Sequence, residues 1–95
     1  MPQNADVSLT QGVWAQLTNA DVTALRVQNL NGYHVHIKAT VGANAPTTLA
    51  GSIILPPFGA IATDLTLAQL FPGVTGANRV YAFCLNAGLV SVSHA

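Results

Sequence analysis

Two histidines one residue apart, His34 and His36, are the pair best placed in this chain to do chemistry. Alternate side chains of an extended strand project to the same face, so both imidazoles could reach one zinc ion. A zinc site needs a third or fourth ligand, and the donors left are His94, Cys84 and three scattered aspartates, Asp6, Asp21 and Asp64. The sequence thus supplies half a metal site, and neither a metal nor another cofactor is expected. The same two histidines read better as polar surface or interface residues, and an assembly contact that changes with imidazole protonation is a middle case left open. Cys84 could act as a nucleophile beside a histidine, but it stands in Val80-Tyr81-Ala82-Phe83-Cys84-Leu85, where apolar neighbours mark it as a buried structural thiol. Ser91 and Ser93 alternate with Val90 and Val92, which is the wet face of a strand. A paired-carboxylate acid and base is hard to build from three distant aspartates and no glutamate. No Gly-rich phosphate loop and no Cys-x-x-Cys pair is present. No catalytic residue is expected, and the chain reads as a binding or structural protein.

Aromatic side chains are the remaining chemical signal, because Trp14, Tyr33, Phe58, Phe71 and Tyr81 could stack on a sugar or anchor a partner. Four of them are expected in the core. Phe58 is the exception: it follows Pro56-Pro57 and precedes Gly59 in a charge-free stretch, and is expected to be exposed and inserted into a neighbouring subunit. The interface residues expected from the sequence are therefore Phe58, Pro56, Pro57, His34, His36 and Trp14.

The elements that must position these residues are short strands. Two apolar runs between residues 22 and 41 flank Asn31-Gly32, the dipeptide favoured by two-residue type I′ turns, so a hairpin is expected there. Its second strand alternates Tyr33, Val35, Ile37, Ala39 and Val41 on one face with His34, His36, Lys38 and Thr40 on the other. In its first strand Thr23, Leu25 and Val27 point inward with Arg26 and Gln28 outward, and Leu30 breaks the phase as a bulge would. Residues 7–9 and 13–18 read as two further strands, separated by Gly12. Residues 52–55 form a strand that Pro56-Pro57 confines to an edge. Asp64 or Thr66 can cap a helical turn ended by Pro72-Gly73. Residues 79–85 and 89–93 are expected to form a second hairpin across Asn86-Ala87-Gly88. Six or seven short strands in one domain spanning residues 1–95, with no room for parallel crossovers, predict an all-β fold: a compact antiparallel β-sandwich or small barrel with one short helical turn and an N-terminal arm at residues 1–5.

Composition narrows the partners. Three Lys+Arg and three Asp+Glu give six charges on 95 residues, where an average domain of this length carries about 24. Three cations cannot neutralise a phosphate track, which takes roughly 6–10, nor form a polybasic membrane anchor. Neither nucleic acid nor membrane is expected as a partner. A hydrophobic content of 51% at zero net charge excludes a solvated, disordered chain. A domain this small, with one cysteine and so no internal disulfide, gains most from association, and a nearly uncharged surface does little to oppose it.

Several runs carry a resemblance. Val13-Trp14-Ala15-Gln16-Leu17-Thr18, Gly32-Tyr33-His34-Val35-His36-Ile37-Lys38-Ala39-Thr40-Val41-Gly42-Ala43 and Ala45-Pro46-Thr47, with Leu70-Phe71-Pro72-Gly73-Val74 and Val90-Ser91-Val92-Ser93-His94-Ala95, resemble small virion proteins of tailed bacteriophages. The resemblance implies a compact β-domain that oligomerises, with a trimer favoured. It also implies a capsid decoration (cement) protein at the virion surface, bound to the major capsid protein across subunit junctions. The alternative it leaves open is a receptor- or glycan-binding module of a head fibre or tail tip, with Trp14 and Tyr33 as the aromatic pair. No catalytic or ligand residue carries over.

Overall fold

In the computed structural model, residues 3–18, 22, 25–42, 44–61 and 66–94 are described. Their strands are β1 (Gln3–Leu9), β2 (Ala15–Gln16), β3 (Leu25–Asn29), β4 (Val35–Thr40), β5 (Ile53–Leu55), β6 (Ala60–Ile61), β7 (Arg79–Phe83) and β8 (Gly88–His94), with one helical turn, α1 (Leu67–Leu70). They form two four-stranded sheets, β1-β8-β3-β6 and β2-β7-β4-β5, and every pairing is antiparallel. The fold is all-β, an antiparallel sandwich.

Alternation builds the core. Leu25 and Val27 of β3, Val90 and Val92 of β8, Val35, Ile37 and Ala39 of β4, and Val80 and Ala82 of β7 are buried between the sheets. Their partners in the pleat, His36, Lys38, Thr40, Ser91 and Ser93, are half-buried on the outer faces. Each buried Val, Leu or Ile contributes roughly 1.5–3 kcal/mol relative to exposure. Cys84 is buried and unpaired, as its apolar context predicts. Thr66 caps α1 in a reciprocal capping box, with Gln69 N–H donating to its hydroxyl and its own N–H donating to Gln69 Oε1 at 2.8 Å. Asp64, the other candidate cap, lies outside the described residues, as does Thr23.

Both expected hairpins are corrected. β3 and β4 belong to different sheets, and neither Asn31 nor Gly32 adopts the positive φ of a type I′ turn. The physical reason is parity. A two-residue loop sets odd-numbered residues opposite even-numbered ones, and residues directly opposite share a face. The inward residues here, Leu25, Val27, Val35 and Ile37, are all odd-numbered, so an unbulged hairpin would bury one strand's apolar face and expose the other's. Leu30 marks no bulge either. Asn29 is fully buried in phase with Leu25 and Val27, so a polar side chain holds the next inward position and Leu30 lies beyond the strand. β7 and β8 likewise lie in different sheets, joined by residues 84–87. Within the expected N-terminal arm at residues 1–5, Gln3, Asn4 and Ala5 instead pair with His94, Ser93 and Val92 in β8, and residues 1–2 lie outside the described residues.

Candidate functional site

Four of the connections carry the chain from one sheet to the other at the same end of the sandwich: residues 10–14, 30–34, 56–59 and 84–87. Register places them together. Leu9 pairs with Gly88 and Gln28 with Ala60 where the first sheet ends, and Ala15 pairs with Ala82 and Val35 with Leu55 where the second does. These four arches carry an apolar surface that loops ordinarily lack. Among the described residues the exposed large hydrophobics include Val13, Tyr33, Phe58 and Leu85, one on each arch, and Leu89 at the foot of β8. Exposed apolar residues on loops, which are usually polar, make this end the candidate interaction surface.

The sharpest feature of this end is the turn over Pro56-Pro57-Phe58-Gly59. Gly59 N–H donates to the Pro56 carbonyl at 2.9 Å, and Phe58 has φ of 61°, the only positive φ of a non-glycine among the described residues. Proline at the second position and a left-handed third residue are the signature of a type II turn, where that third residue is ordinarily Gly or Asn. Any other residue at position 59 would force the turn to shift, because a Cβ there would stand 2.7 Å from the Pro56 ring. A phenylalanine in this conformation costs about 1–2 kcal/mol and is 63% exposed, so its conformation earns nothing from the monomer's own core.

A buried polar node holds the turn. Asn29 Nδ2 donates to the carbonyls of Tyr33 (2.7 Å), Leu55 (3.2 Å) and Pro56 (3.1 Å), and Asn29 N–H donates to the Gly59 carbonyl at 2.8 Å. Gln28 Nε2 donates to the Phe58 carbonyl at 3.1 Å. Asn29 Oδ1 accepts from both the backbone N–H and the carboxamide of Asn31. Asn31 in turn uses its side chain as a short strand: Nδ2 donates to the Leu89 carbonyl and Oδ1 accepts from Leu89 N–H, each at 2.9 Å. Gly88 leaves room for that carboxamide, which any Cβ at position 88 would overlap. Asn29 and Asn31 therefore tie two of the arches, 30–34 and 56–59, to each other and to the start of β8.

Beside the arches lies the outer face of the second sheet. His36 stands opposite both Phe83 and Ile54. The Phe83 ring lies 5.2 Å from Trp14, tilted by 45°, and 6.3 Å from the His36 imidazole, edge-on at 67°. His36 Nδ1 is hydrogen bonded to Ser52 Oγ at 3.1 Å. His34 is exposed in the 30–34 arch, and its carbonyl accepts the Cys84 S–H at 3.6 Å.

The structure thus brings Pro56, Pro57, Phe58 and His34 to the arch end and places Trp14 and His36 on the adjoining sheet face. Of the aromatics expected in the core, Phe71 and Tyr81 are buried, whereas Tyr33 is exposed and Trp14 half-buried. Trp14 lies at the end of an arch and Tyr33 reaches out of another, its hydroxyl donating to the Ala87 carbonyl. Trp14 stacks on Phe83, and among the described residues it makes no ring contact with Tyr33. Phe83, Ile54, Leu85, Asn29 and Asn31 belong to the site and were missed by sequence reasoning. Phe83 was legible, since it falls in the outward phase of its strand, opposite to Ala82 and Cys84. No group of three His, Cys, Asp or Glu side chains gathers among the described residues, so His34 and His36 stand without a further ligand there.

No family model matches the chain, nor does any curated protein or solved structure.

Proposed function

We propose that this chain is a non-enzymatic structural protein of a bacteriophage virion, a capsid decoration protein that seats its arch end on the outer shell. Phe58 is the observation that supports this reading most. An exposed aromatic ring held in a left-handed conformation by bonds from Gln28 and Asn29 is strain kept in place by its surroundings, which is typical of a binding residue. The flanking apolar residues Val13, Tyr33, Leu85 and Leu89 widen the contact, and the arches, joined through Asn29, through the Tyr33 hydroxyl on Ala87 and through Gly12 N–H on the Cys84 carbonyl, offer a rigid surface that loses little freedom on docking. A cement protein stabilises a shell by binding the assembled lattice in preference to loose subunits. The resemblance of residues 13–18 and 32–43 to small virion proteins supplies the biological setting.

Replacing Phe58 with Ser tests this reading. The variant is expected to keep the circular dichroism of the parent and to lose roughly 30-fold or more in affinity for assembled shells, the loss of a central aromatic anchor of about 2 kcal/mol. Unchanged shell binding would refute the placement of the site. Counting copies per particle tests the setting: hundreds fit a decoration protein, and a handful fit the tail or fibre module, for which a glycan array is the next measurement.

A further inference from the structure

The opposite end of the sandwich carries a second site, independent of the shell-binding reading. β5 pairs with β4 only as far as Ile37, opposite Ile53, and the chain then turns away through Gly51, whose φ is 76°. β4 continues to Thr40. Its free edge there forms one wall of a cleft of about 360 Å³, closed by Ala50 and Gly51 on one side and by Leu70, Phe71 and Val74 on the other.

The register shows which backbone groups face the cleft. Leu17 N–H donates to the Val80 carbonyl at 2.8 Å, so the peptide groups of Val80 and Ala82 point to β2 and those of Arg79, Tyr81 and Phe83 point to β4. The peptide groups of Lys38 and Thr40, opposite Tyr81 and Arg79, are therefore turned toward β7. Asn78 N–H donating to the Thr40 carbonyl at 3.0 Å agrees. The N–H and C=O of Ala39, between them, point the other way, past the end of β5. Ala39 is buried, the register gives these two groups no partner in either ladder, and no backbone bond outside the ladders reaches them among the described residues. Buried peptide groups are nearly always paired. At the mouth of the same cleft stands Lys38, one of the three basic residues of the chain, whose ammonium donates among the described residues only to the Thr48 carbonyl at 3.3 Å.

We propose that this cleft binds the free C-terminal end of a partner polypeptide, added as a short antiparallel strand to β4. Three features select that ligand. The Ala39 N–H and C=O supply the paired bonds of one strand residue. The walls of Leu70, Phe71 and Val74 take apolar side chains. An added strand must end at the position opposite Ala39, because Ile53 occupies the position opposite Ile37 and Ser52, bonded to Ile53 and to the His36 ring, fills the one opposite Lys38. Running antiparallel, as β5 does, the strand ends there in its carboxylate, beside the Lys38 ammonium. Running parallel, it would bring an amino terminus against the same charge.

Fluorescence anisotropy with a dye-labelled hexapeptide ending Ala-Thr-Val-Ala-Val tests this, the peptide being used as the free acid and as the C-terminal amide. The free acid is expected to bind and the amide to bind about tenfold more weakly or worse, the loss of one charge-assisted contact. Lys38→Met is expected to remove that difference, and Ala50→Trp, which fills the cleft from its exposed rim, to abolish binding of both peptides. Both variants are checked for an unchanged circular dichroism spectrum. Equal binding of acid and amide, binding that survives Ala50→Trp, no binding of the free acid up to about millimolar concentration, or tighter binding of octanoate than of the peptide would each overturn the proposal.

Discussion

At the scale of single residues, Asn29 is the polar centre that joins β3 to the arch end. It is fully buried and its carboxamide meets three carbonyls and the Asn31 amide groups. Asn29→Asp keeps the shape and replaces the donor with oxygen facing those carbonyls. It is expected to cost roughly 3 kcal/mol or more near neutral pH in a urea titration, a large part of a small domain's total of about 5–15 kcal/mol. The sign of its pH dependence follows from burial. The introduced carboxyl would titrate higher folded than unfolded, so the cost should shrink as pH falls toward 4 and grow as it rises toward 7. Phe58 behaves in the opposite way. Phe58→Gly removes the strain of the left-handed φ and a ring that is mostly in water. It should hold thermal stability level or raise it by up to about 1 kcal/mol while weakening shell binding. Phe58 was legible in the sequence because Pro56-Pro57 before it and Gly59 after it define a turn. Asn29 was not, because a reading that follows apolar residues steps over an asparagine at a core position and reaches for Leu30 instead.

Between the residue and the whole, the arches decide the topology. Asn31-Gly32 carries the strongest local turn signal in the chain, yet the odd-numbered phase of Leu25, Val27, Val35 and Ile37 already opposed a tight hairpin. That information was present in the sequence and outweighed by dipeptide preference. For residues 79–93 no such conflict exists, since a three-residue loop would set the buried Ala82 and Cys84 opposite Val92 and Val90, all inward-facing. What separates β7 from β8 is the distant partner each finds: Leu30 N–H and the Asn31 side chain hold Leu89, 58 residues away in the case of Asn31. Long-range pairing of this kind has no local signature. Asn31→Ala should therefore speed hydrogen exchange at Leu89 N–H, measured by NMR, far more than at Val27 or Val92, and lower stability by roughly 1–3 kcal/mol. Uniform acceleration across β3 and β8 would instead mean that the arches open only with the whole fold.

For the whole molecule, the sandwich class was legible from strand count and alternation, while the clustering of apolar arches at one end was visible only once the two sheets were separated. Charge poverty sharpens what each end can do. The arch end offers hydrophobic and main-chain contact, so shell binding measured by co-sedimentation should change little between about 0.1 and 0.5 M salt. Peptide binding in the cleft, resting partly on Lys38, should weaken by a few fold over the same range. The two sites would then be told apart by ionic strength alone. The pairing of β1 with β8 has a mechanical meaning as well. Gln3, the first residue of one strand, lies opposite His94, the last of the other, at the end of the sandwich away from the arches. A load drawing those two ends apart would open the β1–β8 ladder like a zipper, one bonded pair after another, with no stage at which the seven pairs resist together. A load pressing the arch end toward a surface would meet both sheets and all four connections at once. The molecule is thus soft when β1 and β8 are pulled apart and stiff when pressed at its arch end.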